Sequence, residues 1–336
     1  MKELYPWQSA LWKKWVGLHS RLPHALLLKG PQGIGKYDFA LKISQSMLCE
    51  NPIADGLPCE NCSSCHWFLQ KSHPDFRLLQ PEALSDAEDS GNEDGKKKAS
   101  NQISVDQIRN LSTFSTLSAH RGGYRVVLIH PAEAMNLNAA NALLKMLEEP
   151  SEGMLIILVT HKPQQLLPTI SSRCLTLAAV MPPPEASLAW LEQQGVDEPM
   201  KKLAQSGFAP LQALRVEEDT SASRDFEAMI ESLKQPGKLD VYALAERLQR
   251  VELAKIVHWM QQWCYDLMTA KLAGNVRYAQ GAYDLASEIS RNVAILDLVR
   301  YQSELITARR ESQHPLNPRL FLESLFLSYR QMVTGS

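Results

Sequence analysis

Residues Gly30-Pro31-Gln32-Gly33-Ile34-Gly35-Lys36 have the types and spacing of a phosphate-binding loop. Such a loop works because backbone N–H groups and a helix N-terminus face the phosphate oxygens, glycines let the backbone come close, and the lysine neutralises charge. Gly30, Gly33, Gly35 and Lys36 supply these parts. The next residue is Tyr37, where a serine or threonine hydroxyl would hold magnesium. Turnover also needs a carboxylate at the end of a neighbouring strand and a group that orients water. The apolar run Arg125-Val126-Val127-Leu128-Ile129 instead ends in His130-Pro131. Together these losses remove several contacts of the kind that each contribute about 3 kcal/mol to a transition state. The residues therefore predict a phosphate-holding scaffold without hydrolysis. A tight turn that caps a helix and binds nothing is the plainer alternative, and nucleotide binding without turnover lies between the two.

A second group of residues suits a metal. Six cysteines are present, and Cys49, Cys59, Cys62 and Cys65 fall close together. Three thiolates spaced by two residues on a tight loop, with Cys49 at the end of the preceding helix, make a closed four-sulfur set that suits structural zinc. An iron–sulfur cluster fits less well, because the fourth cysteine lies upstream and no Cys-Pro follows. Glu50, Asp55 and Glu60 around the cluster give no basic stripe for nucleic acid. Cys174 and Cys264 stand alone and read as small buried hydrophobes.

A third is Arg173, in Thr169-Ile170-Ser171-Ser172-Arg173-Cys174. Its fixed charge and reach suit it to phosphate held by a neighbouring subunit, while a surface ion pair with a carboxylate is the alternative.

The elements that must position these groups alternate between residues 20 and 180. Strands are expected near 25–29, 76–80, 125–130, 154–160 and 175–180, and helices near 36–49, 103–118, 136–148 and 164–172. That order predicts an α/β fold with a mostly parallel sheet covered by helices. The stretch from about 84 to 101, with an acidic block and then Lys96–Lys98, reads as a solvated, mobile loop. After Pro182-Pro183-Pro184 the strand signal stops. Helices follow near 185–194, 198–206, 210–217, 223–234, 240–249, 251–272, 282–312 with a break, and 318–333. In the 251–272 helix Leu253, Ile256, Val257, Met260 and Trp263 form one apolar stripe. With 336 residues, 45% hydrophobic, 21% charged and a net charge of −2, the composition excludes a strongly basic surface. No apolar run reaches a membrane span or a secretory signal, so the expectation is a cytoplasmic protein.

Taken together, His24-Ala25-Leu26-Leu27-Leu28, the Gly30–Lys36 loop, the four cysteines, His73-Pro74-Asp75, Asn138 to Pro150 and Ser172-Arg173-Cys174 resemble bacterial clamp-loader subunits of the AAA+ ATPase family. The resemblance runs through most of residues 1–215. His130-Pro131 makes the chain similar to the family's non-hydrolysing members rather than to the ATP-hydrolysing gamma/tau subunit. Gly207-Phe208-Ala209-Pro210 agrees, standing where active relatives carry Gly-x-x-Arg. The resemblance implies a RecA-like AAA+ domain over 1–180 with a zinc-binding insertion at 49–65, a small helical lid over 181–221 and an all-helical collar over 222–336. It further implies a non-catalytic stator in a five-subunit ring of the DNA polymerase III holoenzyme, between the delta subunit and a gamma/tau subunit. Arg173 would project into the gamma/tau ATP site as an arginine finger. The delta subunit would open the sliding clamp, and the assembled ring would hold it open and release it around primer-template DNA during replication. ATP or ADP binding by the chain's own loop stays open. Two other readings are a self-sufficient ATPase that recruits Glu133 or Glu148, and a zinc-dependent DNA-binding module.

Overall fold

The computed structural model describes residues 3–18, 22–84, 99–116, 120, 123–218, 220–279, 281–312 and 314–335. Most of the loop expected at 84–101, Lys96–Lys98 included, lies outside the described residues. The chain divides into two compact units, Met1–Ala186 and Ser187–Ser336.

In the first unit, strands β1 (Ala25–Lys29), β2 (Phe76–Leu79), β3 (Arg125–Ile129), β4 (Met154–Thr160) and β5 (Leu175–Ala178) form one sheet in the order β2-β3-β4-β1-β5. Every pairing is parallel. The three inner strands are buried along nearly their whole length, whereas β2 and β5 at the edges are partly exposed. Continuous apolar runs mark a sheet covered on both faces. Side-chain alternation sorts them: Leu27, Val127, Ile129, Ile156 and Leu158 pack with α4 (Val105–Thr116) and α5 (Leu137–Glu148). Leu26, Leu28, Val126, Leu128 and Ile157 face α1 (Ser9–Val16), α2 (Lys36–Leu48) and α3 (Ser63–Leu69), meeting Trp15, Phe39 and Phe68. This is an α/β fold with a parallel sheet covered on both faces, and the Gly30–Lys36 loop joins β1 to α2.

Two details depart from the sequence reading. The helix expected over 164–172 is a 3-10 turn at Pro163–Gln165 followed by the short α6 (Pro168–Ser171), because Pro168 has no N–H with which to continue a ladder. Helix α1 has no counterpart in the expectations, although Trp12 and Trp15, three apart, bury one face of it.

The second unit is helical: α7 (Pro184–Gln193, crossing the division), α8 (Pro199–Gln205), α9 (Pro210–Glu218), α10 (Thr220–Leu233), α11 (Val241–Leu248), α12 (Leu253–Ala273), α13 (Tyr283–Asn292), α14 (Ile295–Glu311) and α15 (Pro318–Thr334). The break expected within 282–312 falls at Val293-Ala294. Of the predicted stripe α12 buries Ile256, Val257, Met260 and Trp263, with Leu253 partly buried, and Trp259, Gln262, Cys264, Asp266 and Leu267 are buried as well, because helices pack on several of its sides. Its Trp263 Nε1 donates to Tyr329 Oη (2.9 Å), which donates to the Leu233 carbonyl (2.9 Å), joining α12, α15 and α10. Among the described residues, no helix is long and apolar enough to cross a membrane.

Candidate functional site

Parallel pairing places the C-terminal ends of β1, β4 and β3 side by side, with Lys29 opposite Thr160 and Ile129 opposite Leu158. The phosphate loop, His161 and His130 leave from those ends, where open parallel sheets bind ligands. The loop's backbone is clamped at both ends. A Cβ on Gly30 would lie 2.1 Å from the Ala179 carbonyl oxygen, and one on Gly35, at φ 83°, would lie 2.4 Å from the Tyr5 ring. Gly35 caps α2 without a side chain.

Lys36, Tyr37, His130, His161 and Glu133 surround the loop. Lys36 is buried and donates to the Pro31 carbonyl of its own loop. Burial lowers its ammonium to about 8, against an opposing pull from Glu133. Tyr37 stacks on His130, ring centroids 4.5 Å apart, and His130 meets His161 edge-on at 5.4 Å. Burial pushes both imidazoles down to about 4, helped at His130 by His161 and at His161 by Lys36. Gln80 Nε2 donates to His130 Nδ1 (3.2 Å). The nearby carboxylate of Glu133 accepts from the His161 backbone N–H (3.0 Å), with its other oxygen buried. His161 was not singled out from sequence, and Glu133 only as a carboxylate that the alternative ATPase reading would recruit. The sequence carried no signal for His161, because the adjacency of β4 and β1 is a property of the sheet order.

The four cysteines converge. Their sulfurs lie within 4.8 Å of one another, with Cys49 Sγ 3.5 Å from Cys59 Sγ and 4.0 Å from Cys62 Sγ. A tetrahedral zinc with Zn–S bonds of about 2.3 Å spaces its sulfurs by about 3.8 Å, so this donor set fits the ion. Cys49 is the C-cap of α2, as expected. The remaining three do not share a loop: Cys62 caps α3 and Cys65 lies in its first turn, because Cys62 Sγ accepts from the Cys65 N–H (3.4 Å) as an N-cap would. The Cys59 N–H reaches Cys49 Sγ (3.3 Å), and the Cys62 N–H reaches Cys59 Sγ (3.4 Å). Burial raises the Cys49 and Cys65 thiols, while the Asn61 N–H chiefly brings Cys59 down to about 6. A divalent cation would supply the charge that buried thiolates need. Glu60 beside the cluster is paired with Lys42 at 2.8 Å. Of the two isolated cysteines, Cys264 is buried and Cys174 only half-buried.

Arg173 follows α6 at the entrance to edge strand β5. Its guanidinium is half-exposed, donates to the Thr169 carbonyl (3.1 Å) and pairs with Glu148 at 2.7 Å. The sequence did not indicate that partner, because a surface ion pair between segments leaves no periodic trace.

Comparison with known proteins adds the family. The profile described as "DNA polymerase III, delta subunit" matches residues 8–181. The chain is 39% identical to the DNA polymerase III subunit delta' of Pseudomonas aeruginosa over 81% of this chain and 79% of that one. It is 30% identical to the same subunit of Yersinia pestis over 97% and 95%, and 37% identical to that of Bacillus subtilis over 54% and 50%. With a parallel sheet, four convergent cysteines and these matches, the chain belongs to the DNA polymerase III delta' subunit family.

Proposed function

We propose that the chain works as the non-hydrolysing stator of a bacterial clamp loader, a subunit of the DNA polymerase III holoenzyme that is not itself an enzyme. In the cytoplasm it would occupy a five-subunit ring between the delta subunit and a gamma/tau subunit, and help load the sliding clamp onto primer-template DNA. Its organisation would be the AAA+ domain with a zinc-binding insertion, the helical lid and the helical collar. The observation that carries the reading is the corner around Lys36. His130 and His161 occupy the strand ends where carboxylate and water-orienting groups are needed, and Tyr37 fills the hydroxyl position. Glu133 and Glu148, the two carboxylates a self-sufficient ATPase would recruit, are engaged by the His161 N–H and by Arg173. The loop formed by Gly30, Gly33, Gly35 and Lys36 would hold ATP or ADP without turning it over. Cys49, Cys59, Cys62 and Cys65 would hold structural zinc.

In this reading Arg173 exchanges Glu148 for phosphate charge bound by the adjoining gamma/tau subunit. The test is the DNA- and clamp-stimulated ATPase of a complex reconstituted from all subunits. Arg173→Ala should remove the contribution of the adjoining site, where an arginine finger raises turnover by about 10³-fold or more. The isolated chain should keep its stability within about 0.5 kcal/mol, since the side chain is half in solvent. Undiminished stimulation would remove the finger role, and brisk magnesium-dependent turnover by the isolated chain would remove the stator reading.

A further inference from the structure

The His73-Pro74-Asp75 motif is used by nothing described so far, yet His73 and Asp75 are both buried. His73 lies at the centre of a hydrogen-bonded relay whose direction is fixed at every step. The Asp75 backbone N–H donates to His73 Nδ1 (3.0 Å), so Nδ1 carries no proton and the proton of this neutral ring sits on Nε2. Nε2 therefore donates to Ser64 Oγ at 2.8 Å. With its oxygen accepting there, the Ser64 hydroxyl gives its own proton to the Leu48 carbonyl.

Both ends of that last bond adjoin cysteines of the cluster. Leu48 immediately precedes Cys49 at the end of α2, and Ser64 lies between Cys62 and Cys65 in the first turn of α3. The far end of the relay is anchored in the sheet. The Asp75 carbonyl accepts from the Val126 N–H of β3 (2.9 Å), and its carboxylate accepts from the His120 N–H at 3.0 and 3.1 Å. Trp67, also on α3, meets the His73 ring in a T-shaped arrangement with centroids 6.0 Å apart.

We propose that His73 is a positioning residue for the four-cysteine metal site: by orienting the Ser64 hydroxyl onto the Leu48 carbonyl, it holds the segment of Cys49 and the segment of Cys62 and Cys65 at metal-binding separation. The inference rests on the zinc reading above. It assigns His73 no contact with the ion, and its chemistry is that of outer partners which fix the geometry of metal ligands.

The test uses the full-length chain, purified with zinc. Metal analysis of the wild type comes first, because a wild type that holds no zinc overturns the zinc reading and this proposal with it. Zinc affinity is then measured by competition with a chromophoric chelator. His73→Ala and Ser64→Ala should each weaken binding about 10- to 100-fold, the usual cost of losing such a partner. His73→Gln keeps an N–H within reach of Ser64 and should recover most of the loss. Cobalt-substituted His73→Ala should show a thiolate-to-cobalt absorption band altered from wild type, reporting changed ligand geometry. If both alanine variants stay within about two-fold of wild type in zinc affinity, below the range for outer partners, His73 braces the fold alone and the proposal falls, whatever happens to the melting temperature. Should His73→Ala fail to fold, Ser64→Ala, which removes only a hydroxyl, carries the same comparison.

Discussion

At the scale of single residues, the two imidazoles at the strand ends convert burial into a pH dependence. Each ring lies near 4 in the fold against an ordinary 6.5, so between those values the unfolded chain binds more protons. Their contribution to stability is whole above pH 6.5 and is lost as pH falls through 4. Each ring contributes at most about 1.4 kcal/mol per pH unit, reduced by the solvent that still reaches it. Urea denaturation of His130→Gln/His161→Gln should therefore lose stability less steeply than wild type between pH 6.5 and 4. Equal slopes would mean that neither ring is held neutral by burial. The same pair illustrates what the sequence disclosed: His130 was legible because it interrupts a motif with defined chemistry. His161 follows a strand whose neighbours only the sheet order reveals. An ion pair of Arg173 was one of the two readings, but its partner Glu148 was illegible for another reason. A half-exposed ion pair contributes only about 0–1 kcal/mol and imposes no pattern on the residues around it.

Among the elements, strands and long helices followed their apolar periodicity closely, since burial on one or both faces is what that periodicity encodes. The failures came where hydrogen bonding outranks periodicity. Cys62 looked like a loop residue and is a helix cap, and the 164–172 segment looked helical but is interrupted by Pro168, with Pro163 just before it. The clamp on the phosphate loop is likewise a property of two adjoining strands. Gly30 leaves β1 directly beneath the carbonyl of Ala179, which follows β5 and whose N–H donates to the Lys29 carbonyl (2.8 Å). A backbone segment tied to a sheet edge through its N–H cannot retreat as a side chain can. Gly30→Ala should accordingly destabilise the chain by more than about 2 kcal/mol in urea denaturation, by steric strain and loss of edge pairing. A cost below about 0.5 kcal/mol, the range of an unconstrained surface change, would show that β5 shifts freely.

For the whole molecule, the apolar residues form separate cores. One pair of clusters lies on the two faces of the sheet in Met1–Ala186, and another cluster runs from Phe226 to Tyr329 within Ser187–Ser336. The sequence located the end of the sheet-forming part from Pro182-Pro183-Pro184. The expected change of segment after residue 221 falls within the first turn of α10. Cores that share no cluster should melt as separate cooperative units, each responding to its own packing. Met260 is fully buried in the helical core, and Met260→Ala should cost about 2–5 kcal/mol there through lost contacts and the cavity left behind. In scanning calorimetry of the full chain, one transition should move down by several degrees while the other keeps its temperature. A single transition that shifts as one would mean that the two units fold as one body, and that the sheet borrows stability from the helices that follow it.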